Sequence, residues 1–191
     1  MTQRILFVHG GGEGAHEADE KLAKSLQGAL GNPYEVRHPE MPDEDAPEYG
    51  AWKYRIAEEL AGMDGDVILV GHSLGASILL KYLSEENPET AVSGLFLVAT
   101  PFWGAEDWEV DEYALDKNFA TDLPEGLPIF FYHGRNDEVV PLTHLAFYES
   151  KLPRATFRRL DGRGHQFGDD LSEVARDIEK LRGGDGAGEP S

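Results

Sequence analysis

Six short apolar runs alternate with longer stretches of helical pattern, and this alternation limits the chain to few architectures. The apolar runs fall at about 4–9 (RILFVH), 34–38, 66–71 (DVILVG), 94–100 (GLFLVAT), 128–133 (PIFFYH) and 155–160 (ATFRRL). Helical patterns fill 16–29, 50–62, 75–86, 143–150 and 169–181. At 75–86, Ile78, Leu79, Tyr82 and Leu83 share one face, with Lys81 and Glu85 off it. Gly31-Asn32-Pro33 and Asn87-Pro88 supply stop chemistry after the first and third helices. Strands separated by helices pair in parallel through right-handed crossovers. The central runs are apolar nearly throughout, as strands covered by helices on both faces must be. The expected fold is therefore α/β, a three-layer α/β/α sandwich around a parallel sheet.

At 191 residues the chain is expected to form one domain, spanning 1–182. The Gly-rich end, 183–191 (GGDGAGEPS), has nothing to bury and is expected to be a disordered tail. Two connections are longer than a turn needs: 39–50, Pro-rich and acidic, and 101–127, which carries Phe102, Trp103, Trp108, Tyr113 and Phe119. The second reads as a lid-like insertion whose aromatics pack it onto the body, and Phe102, Trp103 and Trp108 are candidates for a substrate pocket.

Chemistry concentrates at Gly71-His72-Ser73-Leu74-Gly75, a G-x-S-x-G pentapeptide between an apolar strand and an amphipathic helix. A turn this sharp holds the serine in a strained conformation, and glycine two residues to either side avoids collision with neighbouring chain. It also lifts the hydroxyl to a helix N-terminus, where the Leu74 N–H is free to bind an oxyanion. A serine hydroxyl needs a base, and the base needs an orienting acid. In chain order the candidates are Asp137, after the fifth strand, and His165, in Asp161-Gly162-Arg163-Gly164-His165 after the sixth. Ser73, Asp137 and His165 each follow a strand's C-terminal end, the edge where open α/β sheets form sites. Glu138, Glu106 and Asp107 are alternative acids. The second oxyanion donor is expected from His9-Gly10-Gly11-Gly12 after the first strand, with Gly11 preferred and Gly12 the alternative. His72, inside the elbow, is expected to pack locally rather than act as the base.

Other readings fit less well. The GGGEG loop lacks the Lys-Ser/Thr ending of a phosphate loop and is crowded by Glu13, Glu17, Asp19 and Glu20. His16-Glu17 has no second histidine at zinc-protease spacing. There is no cysteine, which removes disulfides, thiolate metal sites and a cysteine nucleophile. No cofactor and no metal are expected.

The chain resembles the α/β-hydrolase superfamily. HGGG after the first strand, GHSLG, the G-x-x-D-x-x-V-P pattern from Gly134 to Pro141, and Gly164-His165 carry the likeness over nearly the whole length. Its size, its start at the strand before the oxyanion loop, and Met41-Pro42 to Pro47 followed by Trp52 are similar to the compact retinoblastoma-binding-protein-9/YdeN-like serine hydrolases. The resemblance implies a six-stranded parallel sheet of order 2-1-3-4-5-6 with a minimal cap. It also implies cleavage of carboxylic esters or related small acyl substrates through an acyl-enzyme on Ser73. A fold carrying an idle triad as a binding protein, an acyltransferase and a C–C hydrolase are the alternatives.

The net charge is −19, from 36 Asp and Glu against 17 Lys and Arg. A field of that sign disfavours nucleic acid and anionic membranes and argues for a neutral or cationic substrate over an anionic one, while the aromatics of 101–127 suggest an apolar pocket and so a neutral, apolar substrate. It reads as a solubilising coat or as adaptation to high salt. The longest apolar runs, at 67–70 and 94–99, fall far short of the roughly 20 residues of a membrane span. Met1-Thr2-Gln3-Arg4 leads straight into the first strand, so the expected location is cytoplasmic. A monomer or small homo-oligomer is expected.

Overall fold

The computed structural model describes residues 1–105 and 107–184; Glu106 and the tail residues 185–191 lie outside the described residues. Six strands, β1 (Gln3–Val8), β2 (Tyr34–Arg37), β3 (Val67–His72), β4 (Val92–Val98), β5 (Ile129–Gly134) and β6 (Thr156–Leu160), form one sheet. Its order is β2-β1-β3-β4-β5-β6, and every neighbouring pair is parallel. Helices α1 (Ala15–Leu30), α2 (Tyr49–Ala61), α3 (Leu74–Glu85), α4 (Phe119–Asp122), α5 (Thr143–Lys151) and α6 (Ser172–Gly184) complete the chain.

Strand alternation builds the two outer layers. Leu6, Val8, Leu69, Leu95, Leu97 and Phe131 face one core with Trp52 and Ile56 of α2, Ile78 and Leu79 of α3, and Tyr148 of α5. Ile5, Phe7, Val70, Phe96, Val98 and Tyr132 face the other with Leu22 and Leu26 of α1 and Val174 and Ile178 of α6. Burial on both faces accounts for the near-continuous apolar strands. This is the expected sandwich with the expected strand order.

The main differences lie in the short elements. The 101–127 segment folds a 3-10 turn at Asp111–Tyr113 and the single-turn α4, both packed over α3. The last helix starts at Ser172, not 169, because a tight turn precedes it in which Phe167, Gly168 and Asp169 all have positive φ. That helix runs through Gly183 and Gly184.

Candidate active site

The sheet reverses its connection order between β1 and β3, and Ser73 stands directly after β3 at the C-terminal edge. Its φ of 53° and ψ of −121° are strained for a residue with a side chain. The flanking glycines are sterically required. A Cβ on Gly75 would stand 2.2 Å from the His9 carbonyl oxygen, and one on Gly71 2.6 Å from the Ala76 Cα. The close approach of β1, β3 and α3 that these glycines permit sets the hydroxyl beside the loop after β1.

Three side chains predicted from the sequence converge here. The His165 Nε2 lies 3.1 Å from the Ser73 Oγ, and its Nδ1 lies 3.1 and 3.0 Å from the two Asp137 carboxylate oxygens. Nδ1 faces only carboxylate acceptors, so it carries the proton, and Nε2 is free to accept from the Ser73 hydroxyl. The Asp137 side chain is fully buried, whereas the His165 side chain keeps 14% exposure. Asp137 Oδ1 also accepts the Val139 and Val140 N–H groups at 2.9 and 2.8 Å. Burial alone would raise the Asp137 pKa; the His165 ring and these two N–H donors more than reverse it, leaving the carboxyl below its ordinary value. His133 lies beneath, its Nε2 3.5 Å from Asp137 Oδ2, and burial keeps its pKa low.

The alternative acids are placed differently. Glu138 accepts the His165 backbone N–H at 3.2 Å rather than meeting the ring. Asp107 is exposed, and Glu106 lies outside the described residues.

In the loop after β1, the Gly10 N–H donates to Asp19 and the Gly12 N–H to the Glu44 carbonyl. Gly11 is the one glycine of the three whose N–H has no partner among the described residues. Its direction is set by His9. The Met41 N–H donates to His9 Nε2 at 2.9 Å, so the ring proton sits on Nδ1, which donates to the Gly10 carbonyl at 2.6 Å. In a trans peptide the Gly11 N–H points opposite to that carbonyl. The Leu74 N–H is the first of α3 and has no intrahelical acceptor. A Cβ on Gly11 would stand 2.6 Å from the Leu74 Cδ2 and 3.2 Å from the Pro47 Cγ, so the loop, the elbow and the 39–50 segment meet at this point.

The predicted pocket aromatics pack beside the elbow. Trp103 donates its indole N–H to Ser77 Oγ at 3.0 Å, and the Ser77 hydroxyl donates to the Leu74 carbonyl. Its ring meets Trp108 and Tyr113 at 5.2 and 4.9 Å. Phe102 turns the other way, stacking on Phe147 and edge-on to Tyr148. Tyr113 donates to the Pro47 carbonyl and Glu112 accepts the Tyr49 N–H, so the two long segments are tied together over α3. A cavity of about 690 Å³ opens at the opposite edge of the sheet, lined by Leu123, Leu127, Ile129, Leu152 and Ala155, and holds none of these residues.

Sequence reading gave no partner to Asp19 or a bonding role to His9. Asp19 was visible as an anomaly: it stands on the apolar stripe of α1 with Leu22, Ala23, Leu26 and Leu30. A carboxylate at such a position must find a buried partner.

The profile of the Alpha/beta hydrolase family matches residues 5–184. The chain belongs to that family. Among solved structures, it is similar to the ydeN gene product of B. subtilis, with a TM-score of 0.77 and 17% identity over 95% of this chain and 100% of that one. It is also similar to the CarC serine hydrolase involved in carbazole degradation, with a TM-score of 0.72 and 16% identity over 95% and 91% of the two chains. An esterase domain of a Rhodothermus marinus protein matches with a TM-score of 0.63 and 17% identity over 95% and 85%. At these identities the likeness is one of fold. No curated protein matches the sequence. No helix among the described residues is long and apolar enough to cross a membrane.

Proposed function

We propose that the protein is a serine hydrolase that cleaves small, neutral carboxylic esters through an acyl-enzyme. The observation that carries the reading is the unbroken relay from Ser73 Oγ through His165 to a buried Asp137, built on a strained elbow. Ser73 Oγ attacks the acyl carbon as its proton passes to His165 Nε2. Asp137 holds the ring in orientation and stabilises the imidazolium. The Leu74 and Gly11 N–H groups receive the charge on the former carbonyl oxygen. Collapse expels the alkoxide, which takes the proton from His165. Water then attacks the acyl-enzyme with His165 as base again, releasing the carboxylic acid and the free Ser73 hydroxyl.

Preference for neutral substrates is supported by the surroundings. Arg135 is paired with Asp161, and Arg163 with Asp170 and Glu173, so neither cation of the adjacent turns is left to receive an anion. The acyl group would rest against Leu74, Pro47 and the Trp103–Trp108 pair.

Ser73→Ala tests the reading: it is expected to abolish turnover of p-nitrophenyl acetate and butyrate, and unchanged turnover would refute it. Use of a fluorophosphonate probe and of alternative acyl acceptors separates the hydrolase from an idle binding fold and from an acyltransferase.

A further inference from the structure

Beside the serine lies a second histidine–carboxylate pair. His72 and Asp19 are each 2% exposed. Asp19 Oδ2 accepts both the His72 Nδ1–H and the Gly10 N–H, each at 2.8 Å, and Oδ1 accepts the Gln166 amide at 2.7 Å. The other ring nitrogen, His72 Nε2, lies 2.9 Å from the His165 carbonyl oxygen. Both ring nitrogens thus face acceptors, a carboxylate and a carbonyl. A neutral imidazole has one N–H and would leave a lone pair against an oxygen, so His72 is an imidazolium.

We propose that His72 and Asp19 are a positioning pair that locks the oxyanion loop and the His165 turn to the nucleophile elbow through one buried charge. The proposal rests on the roles given above to Ser73, His165 and Gly11.

The connectivity is what singles this pair out. Gly10 precedes the Gly11 donor, His72 precedes Ser73, and the third link is the backbone of His165 itself. Three groups that must hold fixed distances come from three separate connections, after β1, β3 and β6. One ion pair joins all three, and α1 supplies the carboxylate. Misplacement by a fraction of an ångström at any of them weakens the transition-state geometry. The imidazolium also has a directional advantage: with two N–H groups it makes both links at once, which a neutral ring cannot.

The charges facing the pair are consistent with this state. The His72 ring lies 5.0 Å from the His165 ring, and the Asp137 carboxylate stands beyond that ring. On the other side are the buried His9 and the half-buried His38, both held neutral by desolvation. Among the described residues no lysine or arginine pairs with Asp19. Burial opposes charge on each partner. The mutual attraction, with the Gln166 and Gly10 donors, nevertheless holds the Asp19 pKa down at about 2, and Asp19 holds that of His72 up.

Asp19→Asn removes the charge while keeping an oxygen for the Gly10 N–H. His72 then deprotonates and must give up one of its two links. The expected result is a kcat for p-nitrophenyl acetate lower by about tenfold to a hundredfold, with KM little changed, and an equal fall in the rate of fluorophosphonate labelling of Ser73. A purely structural pair would lower the melting temperature without this kcat-specific loss. A folded Asp19→Asn protein with wild-type kcat and labelling rate overturns the proposal. Nitrogen-15 NMR of the wild type, with the His72 ring assigned through bond correlations to its own backbone, supplies a readout independent of any variant's folding and of catalysis. Two protonated ring nitrogens on His72 at neutral pH are expected, and a singly protonated ring overturns the proposal. If the wild type neither labels nor hydrolyses, the hydrolase reading fails on its own, and the NMR result still decides the pair.

Discussion

Asp137→Asn is the substitution whose effect is most fully determined by the geometry. Asp137 Oδ1 already accepts two backbone N–H groups, from Val139 at 2.9 Å and Val140 at 2.8 Å. The asparagine carbonyl oxygen must therefore occupy that position, since an NH₂ there would face two donors. Both lone pairs of that oxygen are then taken, so although it lies 3.1 Å from His165 Nδ1 it does not accept from the ring as well, and the NH₂ takes the place of Oδ2, 3.0 Å from Nδ1. That nitrogen becomes an acceptor, and the ring proton moves to Nε2, 3.1 Å from the Ser73 Oγ. An Nε2–H cannot remove the serine proton. Packing and the two backbone hydrogen bonds survive, so the protein stays folded while the base is held in the wrong tautomer. The expected loss in kcat is ~10⁴-fold, which corresponds to about 5 kcal/mol of activation free energy. Steady-state hydrolysis of p-nitrophenyl acetate measures it, with circular dichroism to establish the fold. A folded variant within tenfold of wild-type kcat would refute the tautomer argument and with it the assignment of Asp137.

Two further expectations concern stability. Gly75→Ala puts a methyl group 2.2 and 2.5 Å from the His9 and Val8 backbone oxygens, which cannot rotate away. It should cost about 3 kcal/mol, at the upper end for overpacking, and lower the melting temperature by roughly 6–12 °C; a shift under 2 °C in calorimetry would contradict this. His38 is held neutral by burial and by the nearby His16 and His9, its pKa lowered from 6.5 to about 4. The unfolded chain then binds the proton first, so stability should fall as pH drops from about 6.5 to about 4, by about 1–2 kcal/mol because solvent screens part of the shift of this half-buried ring. Urea titrations should show a shallower decline for His38→Gln, and an identical slope would count against it.

Much of this was legible in the sequence because it rests on local chemistry. Continuous apolar strands, helix stops after Gly31 and Asn87, and a glycine-flanked serine between strand and helix each follow from residues a few positions apart. The features that escaped depend on contacts distant in sequence. The turns of 101–127 are shaped by Trp103 reaching Ser77 and by Tyr113 reaching Pro47. His72 was expected to pack locally, but its ring bonds reach Asp19 and His165, 53 and 93 residues away. The Gly12 N–H is likewise taken up by the Glu44 carbonyl, a contact 32 residues away.

The central claim is that Ser73 is a nucleophile activated by His165 and Asp137. Intact-mass and peptide-mapping analysis after treatment with a fluorophosphonate tests it most directly. The account predicts a single adduct on Ser73, formed rapidly in the wild type, absent in Ser73→Ala and strongly slowed in Asp137→Asn. A wild-type protein that stays unlabelled, or an adduct on another residue with esterase activity surviving in Ser73→Ala, would contradict it.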